Sequence, residues 1–140
     1  MKLKLKRPVD EKFPISSPFG KTRTISGETG MHNGIDFACP VGTPVKSFAD
    51  GVIWIKGYQA PDNPKTGLGL RIWQKFTYSG DTWDGWYGHL DSIEHGIDTG
   101  VKVKEGQIVG YSGNTGRSTG PHLHVQFRDK KMKFHDAEFV

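Results

Sequence analysis

Apolar and polar residues alternate one by one over short runs of this chain, and turn residues break the runs before any reaches helical length. Lys2-Leu-Lys-Leu-Lys6 alternates charge with leucine, the mark of an edge strand with one wet face. Further strands are predicted over residues 44–49, 52–56, 70–76, 82–89, 101–103, 108–112 and 122–128, besides 3–5. Turn signals separate them: Pro18-Phe-Gly20, Ala49-Asp-Gly51, Ser79-Gly-Asp81 and Ser112-Gly-Asn-Thr-Gly116. Only residues 92–97 are predicted to form a helical turn. Residues 57–69, with Pro61 and Pro64, form the longest irregular stretch, and loops of that length are usually functional or mobile. Tyr58, Trp83 and Trp86 are each expected either to flank a groove or to pack between strands. No repeat or linker interrupts the series, so a single, mainly β domain over residues 1–140 is expected.

Composition supports that pattern. With 140 residues, 19 glycines, 8 prolines and 11% aromatics, the chain suits many short strands joined by tight turns and is too apolar for disorder. The formal net charge of +4 favours contact with an anionic polymer such as cell wall, nucleic acid or a membrane surface. No aromatic-interleaved basic platform speaks for nucleic acid. No apolar run approaches membrane-spanning length, and the N-terminal residues lack the apolar stretch of a signal peptide. A chain made in the cytoplasm without a leader is therefore expected. The single cysteine, Cys39, excludes an intrachain disulfide and reads as a small buried thiol.

The chemistry concentrates in two patterns, His32-Asn-Gly-Ile-Asp36 and His122-Leu-His124. Residues two apart on a strand share a face, so His122 and His124 project side by side while Leu123 and Val125 turn to the core. His32 and Asp36 can meet across a turn, which Gly34 is expected to ease by relaxing the backbone. Two histidines and an aspartate make the three-ligand set of a catalytic zinc with a fourth position for water. No HExxH motif or nearby glutamate supplies a proton acceptor, which leaves His89 and His122. His122, beside a ligand on the same face, is the one placed to take a proton from attacking water, since metal charge would disfavour its imidazolium form. His95 and His135 belong to neither pattern and are expected to be structural or exposed.

These residues sit within longer motifs: Ile15-Ser-Ser-Pro-Phe-Gly20, Met31-His-Asn-Gly-Ile-Asp-Phe-Ala38, Trp86-Tyr-Gly-His-Leu90 and Gly110-Tyr-Ser-Gly-Asn-Thr-Gly-Arg-Ser-Thr-Gly-Pro-His-Leu-His124. From about residue 15 to 127 the sequence resembles the lysostaphin-type, or LytM-domain, zinc metallopeptidases. The resemblance implies an antiparallel, sandwich-like β-fold with a groove and one zinc per chain held by His32, Asp36 and His124. It also implies catalytic roles for His89 and His122, and cleavage of the cross-bridge or stem peptides of bacterial peptidoglycan. Two departures stand out. Val125-Gln126 replaces the aromatic and acid that usually follow the second metal histidine, which is expected to weaken support of a histidine. Gly27-Glu-Thr-Gly30 occupies a stretch where some members carry a tyrosine.

The absence of a pro-segment or wall-targeting module suggests a phage lysis enzyme, an endolysin, or a virion-associated part. The alternatives are a catalytically degenerate LytM-type module that binds or regulates wall, and a biotinyl or lipoyl carrier built around Met132-Lys133. The carrier is disfavoured because no return strand is expected after that lysine.

Overall fold

The computed structural model describes residues 2–25 and 28–140; Met1 and Gly27, which figure in the sequence reading, lie outside the described residues. Among the described residues there are β-strands and no helix. In chain order they are β1 (Lys2–Leu5), β2 (Ile15–Ser17), β3 (Thr22–Ile25), β4 (Glu28–Met31), β5 (Ile35–Phe37), β6 (Pro44–Lys46) and β7 (Gly51–Tyr58). Then follow β8 (Leu70–Tyr78), β9 (Asp81–Ile93), β10 (Lys102–Val103), β11 (Ile108–Ser112), β12 (Leu123–Arg128) and β13 (Phe134–Phe139). The main sheet runs β1-β13-β12-β9-β8-β7-β10, with β11 and β6 beside β9, and β5 and β2 beside β12. β3 and β4 form a separate ribbon, and β1 on β13 is the one parallel pairing among the described residues.

β9 organises the fold. Its 13 residues are long enough to pair with β8 on one edge and with both β12 and β11 on the other. β12 likewise shares one edge with β9 and divides the other between β5 and β13. Alternation along β12 sends Leu123, Val125 and Phe127, all without exposed surface, into the core, and His124, Gln126 and Arg128 to the opposite face. The core is largely aromatic at its centre, where Phe48 stacks on Tyr87 at 4.5 Å and meets Phe127 edge-on at 4.9 Å. β1 behaves as its alternation predicts: Leu3 and Leu5 are buried and Lys2 and Lys4 exposed.

All the predicted strands are present, β7, β8 and β9 longer than expected and β6, β10 and β12 shorter. The helical turn over residues 92–97 is not. Ser92 and Ile93 extend β9 against β11, and residues 94–97 make a turn closed by Ile97 N–H donating to the Glu94 carbonyl. Continuous pairing with Tyr111 and Gly110 overrides any local helical tendency there. β13 is also a correction: Met132 and Lys133 lie in the turn of a β12–β13 hairpin, so a return strand does follow the lysine.

Candidate metal centre

Register brings the two histidine patterns together. His124 on β12 is the direct partner of Asp36 on β5 and of Gly88 on β9, so the aspartate and the imidazole leave the sheet on one face. His32 enters from the loop before β5. Nδ1 of His124 lies 2.8 Å from Asp36 Oδ1 and 3.2 Å from His32 Nε2, and His32 Nε2 lies 3.4 Å from the same carboxylate oxygen. Edges of about 3.3 Å are what a tetrahedron with bonds of about 2.0–2.1 Å requires. All three residues are buried, and they are the three-residue cluster of potential metal ligands among the described residues. In spacing and donor chemistry they fit zinc.

The outer ring nitrogens are pinned. A carbonyl only accepts, so His32 carries its proton on Nδ1, donating to the Pro18 carbonyl at 3.2 Å with Ser17 Oγ alongside at 3.1 Å. His124 is held the opposite way round: its Nε2–H donates to Gln126 Oε1 at 2.8 Å. Each ring thus turns a lone pair toward the shared centre, the arrangement that orients metal-binding histidines. The expectation that Gln126 deprives a histidine of support is therefore overturned, because the amide oxygen fills the acceptor position itself. Gly34 also acts differently from expectation. Its φ is not positive; instead a Cβ there would stand 2.6 Å from the His124 ring and 2.3 Å from the Val125 carbonyl. It is glycine because the loop presses against the His124 ring and the Val125 carbonyl.

Burial would raise the Asp36 carboxyl, but when a further proton sits on the inner nitrogen of His124 or His32, as it can without a metal, their hydrogen bonds and the nearby histidine charges outweigh it. They hold the group well below the usual carboxylate range.

His89 and His122 complete the cluster. Their rings are 4.6 Å apart, and the His89 ring is 5.9 Å from that of His124. His89 reaches this face through a bulge. Leu70 pairs with Leu90 and Ile72 with Tyr87, so Gly88 and His89 together oppose the single Arg71. The φ of His89 is 60°, and its N–H donates to the Leu68 carbonyl. Simple alternation would have sent its ring to the core with Tyr87; the extra residue turns it outward while Leu90 stays buried. Nδ1–H of His89 donates to the Thr115 carbonyl at 2.6 Å, and Nδ1–H of His122 to the Gly120 carbonyl at 2.8 Å. Among the described residues neither Nε2 has a hydrogen-bond partner, and that of His122 lies 3.8 Å from Asp36 Oδ1. Burial, then the charge of His122, pushes the His89 imidazole down to about 4, with the Thr115 carbonyl working against the shift.

Beside them is a cleft of about 300 Å³ lined by Ser16, Asp36, His89, Arg117 and His122. The long loop over residues 57–69 is tied to the segment that borders this cleft. Gly116 N–H donates to the Pro64 carbonyl and Arg117 N–H to the Gly67 carbonyl. The other candidates fall outside the site. Cys39 is a buried thiol, His95 sits in an exposed turn, and His135 bonds Asp129 at 2.7 Å while packing on Trp83. Trp83 is core, whereas Trp86 stacks on Trp73 at 5.1 Å. Ser17, Thr115 and Gly120, which anchor the rings, escaped sequence reasoning because carbonyl and hydroxyl partners leave no pattern. Gln126 was accessible, lying two residues from His124 on the same face.

Comparison with known proteins agrees with this geometry. The profile of peptidase family M23 matches residues 30–136. Peptidoglycan DD-endopeptidase ShyA of Vibrio cholerae is 41% identical over 121 residues, covering 85% of this chain and 26% of that protein. The chain spans about a quarter of the length of the curated relatives it matches. The catalytic domain of lysostaphin from Staphylococcus simulans superimposes with a TM-score of 0.73 at 34% identity, with 89% of each chain covered. The catalytic domain of a point mutant of the prophage-encoded M23 protein EnpA from Enterococcus faecalis gives 0.72 at 29% identity, covering 94% of this chain and 93% of that one.

Proposed function

The chain belongs to peptidase family M23, and from that premise we propose that it is a zinc-dependent endopeptidase acting on the cross-bridge or stem peptides of bacterial peptidoglycan. The observation that carries the reading is the convergence of His32 Nε2, Asp36 Oδ1 and His124 Nδ1 beside two further histidines whose Nε2 atoms have no hydrogen-bond partner among the described residues. His32, Asp36 and His124 would hold one zinc ion, which when bound polarises a peptide carbonyl and acidifies water.

The remaining steps belong to the chain's own side chains. His122, its Nδ1–H fixed on the Gly120 carbonyl, accepts the proton of the attacking water at Nε2 and becomes a donor there. His89, kept neutral by its surroundings, has its Nε2 in the same cleft, where it bonds the reacting group or receives the second proton. Whichever ring is protonated can return that proton to the leaving amine, so the pair serves both halves of the hydrolysis. The walls formed by Arg117 and the segment over residues 118–121 restrict the substrate to an extended peptide.

Digestion of purified sacculi by the zinc-loaded protein, with products read by mass spectrometry, is expected to release cleaved stem or cross-bridge peptides. His122→Gln should lower turnover by about 10²–10⁴-fold with zinc content unchanged. Equal activity of the two proteins would remove His122 from the mechanism, and equal inactivity would favour a wall-binding module. A role in phage lysis is supported by the likeness to the prophage-encoded EnpA. It requires that cells expressing the chain lyse only when a membrane-permeabilising protein is co-expressed.

A further inference from the structure

On the same sheet face as the metal centre lies a groove of about 440 Å³ that the hydrolysis does not use. Its floor is a cross-strand row in which Trp73 of β8, Trp86 of β9 and Gln126 of β12 are successive register partners. Gln126 also bonds the ring of His124, and Leu68, on the opposite wall, accepts the N–H of His89 through its carbonyl. Neighbouring same-face residues on a strand are about 7 Å apart, so the groove begins one residue step from the metal ligands.

Two arginines line this groove, and none of its lining residues is acidic. Arg71 sits directly opposite the bulge that carries His89, and uses Nη1 to bond the Gly57 carbonyl at 3.0 Å. Arg128 lies over the Trp86 ring at 4.7 Å, bonds Asp84 through Nη2 at 3.2 Å, and has no partner for its Nε–H. Asp84, the carboxylate that Arg128 bonds, is already occupied by Lys75 Nζ and Trp73 Nε1, both at 2.9 Å. Counting Asp84 against Lys75, Arg71 and Arg128 leaves the region with two positive charges in excess. A guanidinium offers five donors in a rigid fork, so the outer nitrogens of Arg71 and Arg128 keep donors for a ligand, while the Arg128 Nε–H is buried and out of reach.

The geometry points to a carboxylate-binding subsite formed by Arg71 and Arg128 over the Trp73–Trp86 stack, which receives a free carboxylate of the peptide while the scissile bond lies at the metal centre. The inference rests on the peptidase reading, and it specifies the substrate: a peptide with an ionised carboxylate a residue or two from the bond cleaved. Stem peptides are rich in side-chain and terminal carboxylates, whereas a run of glycines has none. The apolar indole floor suits small side chains and peptide planes better than a sugar-phosphate backbone, and continuity with the metal centre favours the substrate over a separate polymer.

The test uses the zinc-loaded protein and two probes, acetyl-D-alanyl-D-alanine and its C-terminal carboxamide, with binding followed by tryptophan fluorescence. The acid is expected to bind about ten-fold more tightly than the amide, as paired charge-assisted hydrogen bonds allow. Arg71→Gln and Arg128→Gln should each shrink that ratio, and Arg71→Lys should retain part of it. Arg71 makes the fewer internal contacts, so it serves if the Arg128 variant fails to fold. A ratio near one in the wild type overturns the subsite, as does a preference that survives both substitutions and so belongs to the metal. Inorganic phosphate displacing the acid at equal concentration would also overturn it, in favour of a phosphate-bearing wall polymer. Failure of the peptidase reading looks different: sacculi stay intact while the arginine-dependent acid preference persists.

Discussion

Gln126 stands where the resembled family usually places an acid, yet its amide oxygen holds the Nε2–H of His124 at 2.8 Å and leaves Nδ1 turned toward Asp36 and His32. A neutral acceptor fixes the tautomer without adding a charge. Replacing Gln126 with Leu leaves a buried N–H unsatisfied beside the centre. Zinc affinity is expected to fall by about 10–100-fold, while Gln126→Glu should match or exceed the wild type. Competition with a chromophoric chelator measures this, and a Leu variant that holds zinc as tightly as the wild type would show that the bond is incidental. Gly34 makes a second test. Gly34→Ala drives a methyl into the His124 ring and the Val125 carbonyl, and should cost about 1–3 kcal/mol of stability together with weaker zinc binding. Chemical denaturation of the zinc-free and zinc-loaded forms would reveal both effects.

At the level of elements, the bulge in β9 determines where His89 points. Holding a non-glycine residue at a φ of 60° costs about 1 kcal/mol, so zinc-free His89→Gly should be more stable than His89→Ala by about that amount, although both lose activity. Equal stabilities would mean that the backbone relaxes out of the left-handed region. The same bulge explains what the sequence left hidden. Period-two alternation correctly paired His122 with His124 and buried Leu123 and Val125, but it places His89 in the core. Elimination left His89 as a candidate beside His122, and only the family resemblance assigned it a role. β2, β3, β4 and β5, each three or four residues long, went unpredicted because they lack the regular alternation of charged and apolar residues that marks β1. β13 escaped because His135-Asp-Ala-Glu138 puts polar side chains on both faces of a strand that depends on β12 and β1 for its pairing. The loop over residues 57–69, legible only as irregular, is fixed through Gly69 and Gly116, whose backbones approach too closely for any Cβ.

For the molecule as a whole, acid should act on stability and metal retention together. The His89 imidazole is lowered from 6.5 to about 4, so as pH falls the unfolded chain takes up that proton first. The corresponding stability is present above about 6.5 and is lost between there and about 4. Asp36, held below its ordinary 3.8, adds a loss in the same direction at still lower pH. The melting temperature of the zinc-free protein should therefore drop on acidification, with a shallower slope through the upper window in His89→Gln. A slope unchanged by that substitution would assign the effect to other groups. Zinc retention should fall over mildly acidic pH as well, because protons compete for His32 and His124. The two effects share one origin, the meeting of β5, β9 and β12 at a single buried point. The metal content of the purified, zinc-equilibrated chain after gel filtration tests that meeting most directly. About one zinc per wild-type chain is expected, and close to none for Asp36→Ala or His124→Ala in a folded state. Equal zinc in the wild type and both variants would contradict it.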